Sequence, residues 1–488
     1  MSGTDTRTRW LALYTLCLAT LMIVLDATIV NVALPSIKDD LGFSQASLAW
    51  VVNGYLLTFG GCLLLGGRLG DLFGHRKLFL GGIVLFTVAS LACGIANTQN
   101  LLVTARAVQG IGGAVASAVS LSLMMSLFTE PAERAKAMGV FGFVASGGGS
   151  IGVLLGGVLT DILDWHWIFL VNVPIGVVVV FLSLRLLPAA KPHGGSRKVD
   201  IAGAVLITGA LMVAVYAIVN GNGVGWTTVQ TLGLLGLAAT MLGLFVVVES
   251  RVGEPLIPLR LFRLRNLVTA NTASVLWAAA MFAWFFLSAQ YLQFVLGYKP
   301  LDVGLAFLPS NLIMGVLSIG VSAKLVMRYG IKIPLAVGLL VAGTGLLLFA
   351  RAPVHGHFVT DVLPSMILLG LGAGIAFNPI LLASMGDVDP HEAGLASGIV
   401  NTSFMMGGAL GLAVLASLAD SRTSSLSAGH THLEALVGGY HLAFVTGALF
   451  ALAGAIIGVT FLRGGNPMAM GAHGHEAPEA GAAPDLAG

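Results

Sequence analysis

Runs of about 20 apolar residues follow one another along almost the whole chain, each long enough to cross the hydrocarbon core of a bilayer as a helix. Lipid offers no hydrogen-bond partners, so backbone inside it must satisfy its own polar groups, and a helix does so within one segment. The runs place fourteen membrane helices, at about 10–35, 48–66, 78–97, 101–123, 138–160, 166–187, 200–219, 232–250, 268–291, 303–325, 333–350, 361–384, 393–418 and 438–462. The expected fold class is an all-α polytopic membrane protein. Charge agrees: only 9% of residues are Asp, Glu, Lys or Arg, against roughly 25% in a soluble chain, and 57% are hydrophobic. That is too little charge to cover a surface in water. Soluble enzymes, secreted disulfide scaffolds and disordered hubs are excluded, and a net charge of +2 points to no nucleic-acid partner. The first run holds Asp26, is longer than a signal-peptide core and lacks a small-residue cleavage site, so it reads as a retained span.

Basic residues set the orientation. With the N-terminus inside, only Lys38, Lys299, Arg351 and Arg422 fall outside; Arg106 lies within a span, and every other Lys and Arg falls inside. Both termini are therefore expected in the cytoplasm. The inner loop with Asp387, Asp389, His391 and Glu392 carries no basic residue, but acids weigh little in this rule. The 65 glycines fit close helix packing. Cys17, Cys62 and Cys93 sit in apolar runs without metal spacing and read as small core side chains, so no metal site is expected.

The expected organisation is a six-helix half at 1–187, a linker with an extra helix pair at 188–252, a second six-helix half at 253–463, and a disordered tail at 464–488. Two loops carry a degenerate repeat: Gly67-Arg68-Leu69-Gly70-Asp71-Leu72-Phe73-Gly74-His75-Arg76-Lys77 and Ala323-Lys324-Leu325-Val326-Met327-Arg328-Tyr329-Gly330-Ile331-Lys332. Leu69 matches Leu325 and Gly74 matches Gly330, and basic residues close both. Segment 253–266 alternates Leu and Phe with Arg and suits the inner membrane interface. Glu249, at the inner end of the eighth span, is read as interfacial.

Asp26 and Arg106 are the ionisable residues deepest in the apolar runs. A charge at the bilayer centre costs at least about 2.5–3.5 kcal/mol, so by default it marks function. Asp26 lies about 22 Å from the inner end of its span, and Arg106 about 8 Å below the outer edge of a core about 30 Å thick. The two thus share a level. An acid held between burial and a cation can take and release a proton as water access changes. The alternatives are that Arg106 snorkels to the outer surface and that Asp26 caps a break in the first span.

Asp26-Ala27-Thr28-Ile29-Val30-Asn31-Val32-Ala33-Leu34-Pro35 resembles the first-span signature of the fourteen-span drug/proton antiporters of the major facilitator superfamily, the QacA/EmrB-like exporters. The resemblance implies two six-helix halves plus an extra pair, with Asp26 as the protonatable site. Leu102, Arg106, Gln109, Gly110, Gly112 and Ala114 are similar to the fourth-span motif, whose arginine is assigned to proton transfer. Gly67, Asp71, Gly74 and Arg76 resemble the superfamily's signature loop, which implies a conformational latch on the cytoplasmic side; two basic positions of that pattern are Leu72 and His75 here. The alternative for Asp71 is a helix-end or turn residue with no switching role. Gly139, Gly148, Gly152, Gly156 and Gly157 match every glycine of the fifth-span antiporter motif, and the motif proline is Val153. Glycines at this spacing line one helix face. Asp164-Trp165-His166-Trp167 and the residues up to Gly176 also resemble this branch, with His166 in place of the usual arginine.

A substrate pocket is expected at the midplane between halves. Spans 1 and 4 are expected to face spans 9 and 12; Trp277, Trp284 and Tyr291 recur at seven-residue spacing on one face of span 9, and Asn378 on span 12 and Asn401 on span 13 are further candidates. An aromatic wall with few polar groups suits a lipophilic organic compound, and it suits helix packing equally well. The expected function is export of such a compound from the bacterial cytoplasm in exchange for protons, by a protein working as a monomer. No cofactor, no Walker loop and no catalytic residue is expected, so the proton gradient is the energy source. An importer or facilitator of a small metabolite on the same fold is the alternative.

Overall fold

The computed structural model describes residues 6–44, 47–128, 130–188, 200–253, 255–257, 259–385, 388 and 393–463. The expected linker after residue 188, most of the acidic loop at 387–392 and the tail from 464 lie outside the described residues. Each apolar run has become a helix: α1 (Thr6–Leu41), α2 (Ala49–Phe73), α3 (His75–Gly94), α4 (Gln99–Leu127), α5 (Pro131–Ile162), α6 (Trp167–Leu186), α7 (Ile201–Val224), α8 (Val229–Arg251), α9 (Arg265–Val295), α10 (Pro300–Val316), α11 (Lys332–Phe349), α12 (Phe358–Ser384), α13 (Ala393–Leu426) and α14 (His432–Phe461). Among the described residues, twelve are long and apolar enough to cross a membrane by themselves. The other two expected spans fall on α5, whose shorter apolar part is Ile151–Ile162, and on α10. The helix of α10 runs on through a π-turn at Leu317–Val321 into Ser322–Tyr329.

Local chemistry sets the ends. Thr98 and Thr228 accept hydrogen bonds from backbone amides three residues on, as N-caps do, and Thr431 with Glu434 forms a capping box. Gly74 and Gly330, the matched glycines of the repeat, both adopt positive φ (93° and 74°), and each amide donates to the carbonyl four residues back. Only glycine turns a helix this way without strain, so the repeat records one shared backbone bend.

Helices α1 to α6 pack on one another: α1 on α5 and α6, and α4 on α2 and α3. Helix α9 packs on α13 and α14, and α11 on α12 and α14. The two groups meet where α5 lies along α10 and α2 along α13, while α7 leans on α2 and α13 and carries α8 on its other side. Both described chain ends lie on one face, called here the terminal face. There Arg9 bonds Glu133 at 2.7 Å, and the Arg463 amide donates to Asn266 at 2.7 Å. On the opposite face Trp165 Nε1 donates to Asp40 at 3.0 Å, so this tryptophan is a buried tie more than a surface anchor.

The segment after α8 is amphipathic as its sequence suggests: Leu256, Ile257 and Leu261 are buried while Arg260, Phe262 and Arg263 are exposed. Glu249 lies two residues from the end of α8. It is buried, and one of its oxygens accepts from the Ile257 amide at 3.2 Å, clamping this segment to the end of α8. Asp200, also buried, caps α7 through the Gly203 amide at 2.7 Å.

Candidate functional site

The first-half core closes around one carboxylate. Asp26 is 0% exposed and Arg106 1% exposed. Arg106 Nη1 donates to Asp26 Oδ2 at 2.5 Å and to Gln109 Oε1 at 2.7 Å, while its Nε donates to the Val51 carbonyl at 3.1 Å. The guanidinium also lies 4.4 Å from the centre of the Tyr55 ring. The other Asp26 oxygen accepts from Gln109 Nε2 at 2.7 Å and from Asn172 Nδ2 at 3.0 Å. Ser90 Oγ accepts from both of those amides at 3.0 Å and donates to the Phe169 carbonyl at 2.9 Å. Five helices of the first six thus contribute, and the equal depth expected of Asp26 and Arg106 is met by a direct ion pair. Arg106 does not snorkel, and α1 runs unbroken through Asp26.

Chemically this is a buried charge whose partners are all donors. A buried pair survives only when geometry and further hydrogen bonds offset desolvation, and here both groups have them. Protonating the carboxylate removes the attraction to Arg106 and one acceptor lone pair, so the network must rearrange when a proton binds. Sequence reasoning missed Ser90 and gave Asn172 no part in this cluster. Spacing gave one usable signal, because Arg106 and Gln109 are three apart on one helix face.

The antiporter-motif glycines sit against this site. A Cβ on Gly156 would stand 2.6 Å from the Ile29 carbonyl, and one on Gly152 would meet Leu25 and Thr28. Gly148 faces Leu21 and Val24. These three let α5 press its backbone onto α1 on both sides of Asp26. Gly157 instead meets Pro300 and Leu301 at the start of α10, and the Val153 carbonyl approaches Gly304. Val153 is buried in that contact, within an unbroken helix. Gly139 lies within α5, and the Asp71 side chain lies outside the described part of the structure. Of the remaining loop residues, Gly67 has open space around it, Gly74 makes the turn, and Arg76 Nη2 donates to the Leu184 carbonyl at 2.5 Å. In this state Arg76 joins α3 to α6, within the first six helices, and not to the second set.

Trp277, Trp284 and Tyr291 do share a face, and each is 1% exposed. They are packed core side chains in this state. Trp284 lies against Phe285 and Phe307, while Tyr291 stands edge-on to Phe349 and donates to the Pro353 carbonyl at 2.7 Å. Asn378 donates to the Ser318 carbonyl at 2.6 Å, across to the π-turn after α10. Asn401 is exposed and donates within its own helix, to the Ser397 carbonyl. On the face opposite the termini, Gln293 Nε2 donates to the Val32 carbonyl at 2.8 Å and Lys38 Nζ stands 4.4 Å from the Phe294 ring centre. These contacts tie α9 to α1.

The family profile described as Major Facilitator Superfamily matches residues 16–412. The chain belongs to that superfamily. The puromycin resistance protein pur8 of Streptomyces alboniger is 39% identical over 92% of this chain and 91% of its own length. The cephamycin export protein CmcT of Amycolatopsis lactamdurans is 39% identical over 93% and 92%. A lincomycin resistance protein of Streptomyces lincolnensis is 37% identical over 84% and 85%. Among solved structures, a peptide transporter POT in complex with sulfate superposes with a TM-score of 0.67 over 93% of this chain and 96% of that chain, at 18% identity, a likeness of fold. The superfamily membership and the apolar helices make this a multi-pass membrane protein on the drug-efflux branch that the sequence motifs resemble.

Proposed function

We propose that this protein exports a small lipophilic organic compound of the antibiotic class across the bacterial plasma membrane, in exchange for protons and by alternating access. One observation carries the proton coupling: a fully buried carboxylate, paired with Arg106 and held by two amides, in a membrane chain whose relatives are named for antibiotic resistance and export. In the proposed cycle the proton binds Asp26, the ion pair with Arg106 opens, and α1 shifts against the glycine face of α5. The helix sets α1–α6 and α9–α14 act as the two moving halves, with α7–α8 as the added pair.

The termini are assigned to the cytoplasm, where basic residues concentrate. The state described here is then closed outward, by Gln293 with Val32 and Lys38 with Phe294, and presents Asn401 inward. Trp277, Trp284 and Asn378 are assigned to a pocket wall that opens in another state.

The test is proton release from acid-loaded vesicles of defined orientation on adding lipophilic antibiotics. Compound-triggered release is expected with wild type and absent with Asp26→Asn, with membrane insertion retained. Coupling that persists in the variant removes Asp26 as the carrier.

A further inference from the structure

Between α9 and α13, beneath the turn Leu259–Arg263, lies a pocket of about 280 Å³ lined by Phe262, Val268, Asn271, Thr272, Val275, Leu276 and Ser403. It belongs neither to the proton site nor to the aromatic stripe. Asn271 lies six residues beyond the start of α9, about 9 Å into the span from the terminal face. Ser403 is two residues from Asn401 and so points about 200° away from it, to the other side of α13. The pocket therefore sits to the side of the face that presents Asn401. Its rim residues Phe262 and Thr272 are exposed.

One polar group in this pocket is unexplained. Asn271 is 7% exposed, and among the described residues neither its Nδ2 nor its Oδ1 has a hydrogen-bond partner. Buried amides are normally satisfied, and an orphan one is destabilising unless something supplies its partner. Among the described residues, no charged side chain lines the pocket. A cation or carboxylate would enter uncompensated, whereas a neutral carbonyl or hydroxyl would pair with the amide. The volume suits one or two aromatic rings, since a cavity of about 150 Å³ holds benzene.

We propose that this pocket is a lateral docking site for the uncharged, ring-bearing and carbonyl- or hydroxyl-bearing end of a lipophilic compound that reaches the protein through the leaflet on the terminal face. The proposal rests on the exporter reading for its purpose, since a compound already dissolved in that leaflet would be loaded here before crossing. The Asn271 amide supplies the polar contact, and Phe262, Val268, Val275 and Leu276 supply the apolar walls.

The experiment uses the full chain in lipid nanodiscs with benzophenone as the probe. It is neutral, has two rings and a carbonyl acceptor, and inserts into nearby C–H bonds on illumination. Adducts are mapped by peptide mass spectrometry. They are expected to concentrate on residues 262–276 and around Ser403, and to fall about tenfold with Asn271→Leu, the equivalent of one well-made hydrogen bond to a buried amide. Asn271→Ser, which keeps a donor, should retain most of the yield. Val275→Phe, which fills the pocket, should abolish the peak, and it gives a second route if Asn271→Leu folds poorly. Labelling spread evenly over lipid-facing residues such as Val178 and Leu449 would overturn the site. A peak indifferent to Asn271→Leu and to Val275→Phe would do the same, pointing to acyl-chain contact alone. The labelling needs no proton gradient, so Asp26→Asn protein should label like wild type. Wild-type protein that labels in the pocket but moves no compound across the vesicle membrane would count against the exporter reading and not against the pocket.

Discussion

Removing both members of the Asp26–Arg106 pair should harm the fold by less than the sum of removing each alone. The argument is a double-mutant cycle on Asp26→Leu and Arg106→Leu. Breaking a buried pair by deleting one partner costs about 3–5 kcal/mol, because the other charge is left uncompensated. Here the residual partners place each single variant near the low end. After Asp26→Leu, Arg106 still has Val51, Gln109 and the Tyr55 ring. After Arg106→Leu, the carboxylate still has Gln109 and Asn172. Each single change should therefore destabilise by about 3 kcal/mol. The double variant leaves no orphan charge, so it should fall short of the sum by about 2–3 kcal/mol. The assay is reversible unfolding in mixed micelles, followed by tryptophan fluorescence. Effects that add to within about 0.5 kcal/mol would show that the two side chains are not energetically coupled, and the proton-site reasoning would fall with that result.

Gly156→Leu should separate α5 from α1 and abolish transport while Gly67→Ala, into open space, changes stability by less than about 0.5 kcal/mol; vesicle transport and thermal melts read both. Gly74→Ala and Gly330→Ala should each destabilise by about 1–2 kcal/mol, because both turns need positive φ, and equal melting temperatures to wild type would refute the shared-bend argument. Gln293→Leu removes a tie across the face opposite the termini and should increase labelling of cysteines introduced along α1 near Val32 by a water-soluble maleimide; unchanged labelling would mean this contact does not hold that face shut.

The spans were legible because lipid leaves the backbone one option, and every expected span coincides with a helix. The Gly74–Gly330 match was legible because a positive-φ turn admits few residue types. The level shared by Asp26 and Arg106 followed from helix rise alone. Ser90 was not legible. A serine in an apolar helix most often bonds its own preceding turn, and nothing in the sequence says that this one reaches Phe169 on another helix. The aromatic stripe shows the opposite limit. Seven-residue spacing fixed a common face, but what that face meets depends on Phe307 and Phe349, far along the chain. Arg76 likewise matched a motif by position, while its partner at Leu184 is set by how α3 lies on α6.

Every side chain that touches the Asp26 carboxylate comes from the first six helices, whereas the aromatic stripe, Asn378, Asn401 and the pocket at Asn271 all belong to α9, α12 and α13. Under the proposed function, proton and cargo would then not compete for a ligand; each would bias the same rocking equilibrium from its own side, and by linkage each would alter the other's affinity by the same factor. On that reading engine and hold are separate compartments, and the hold could be refitted residue by residue without touching the engine.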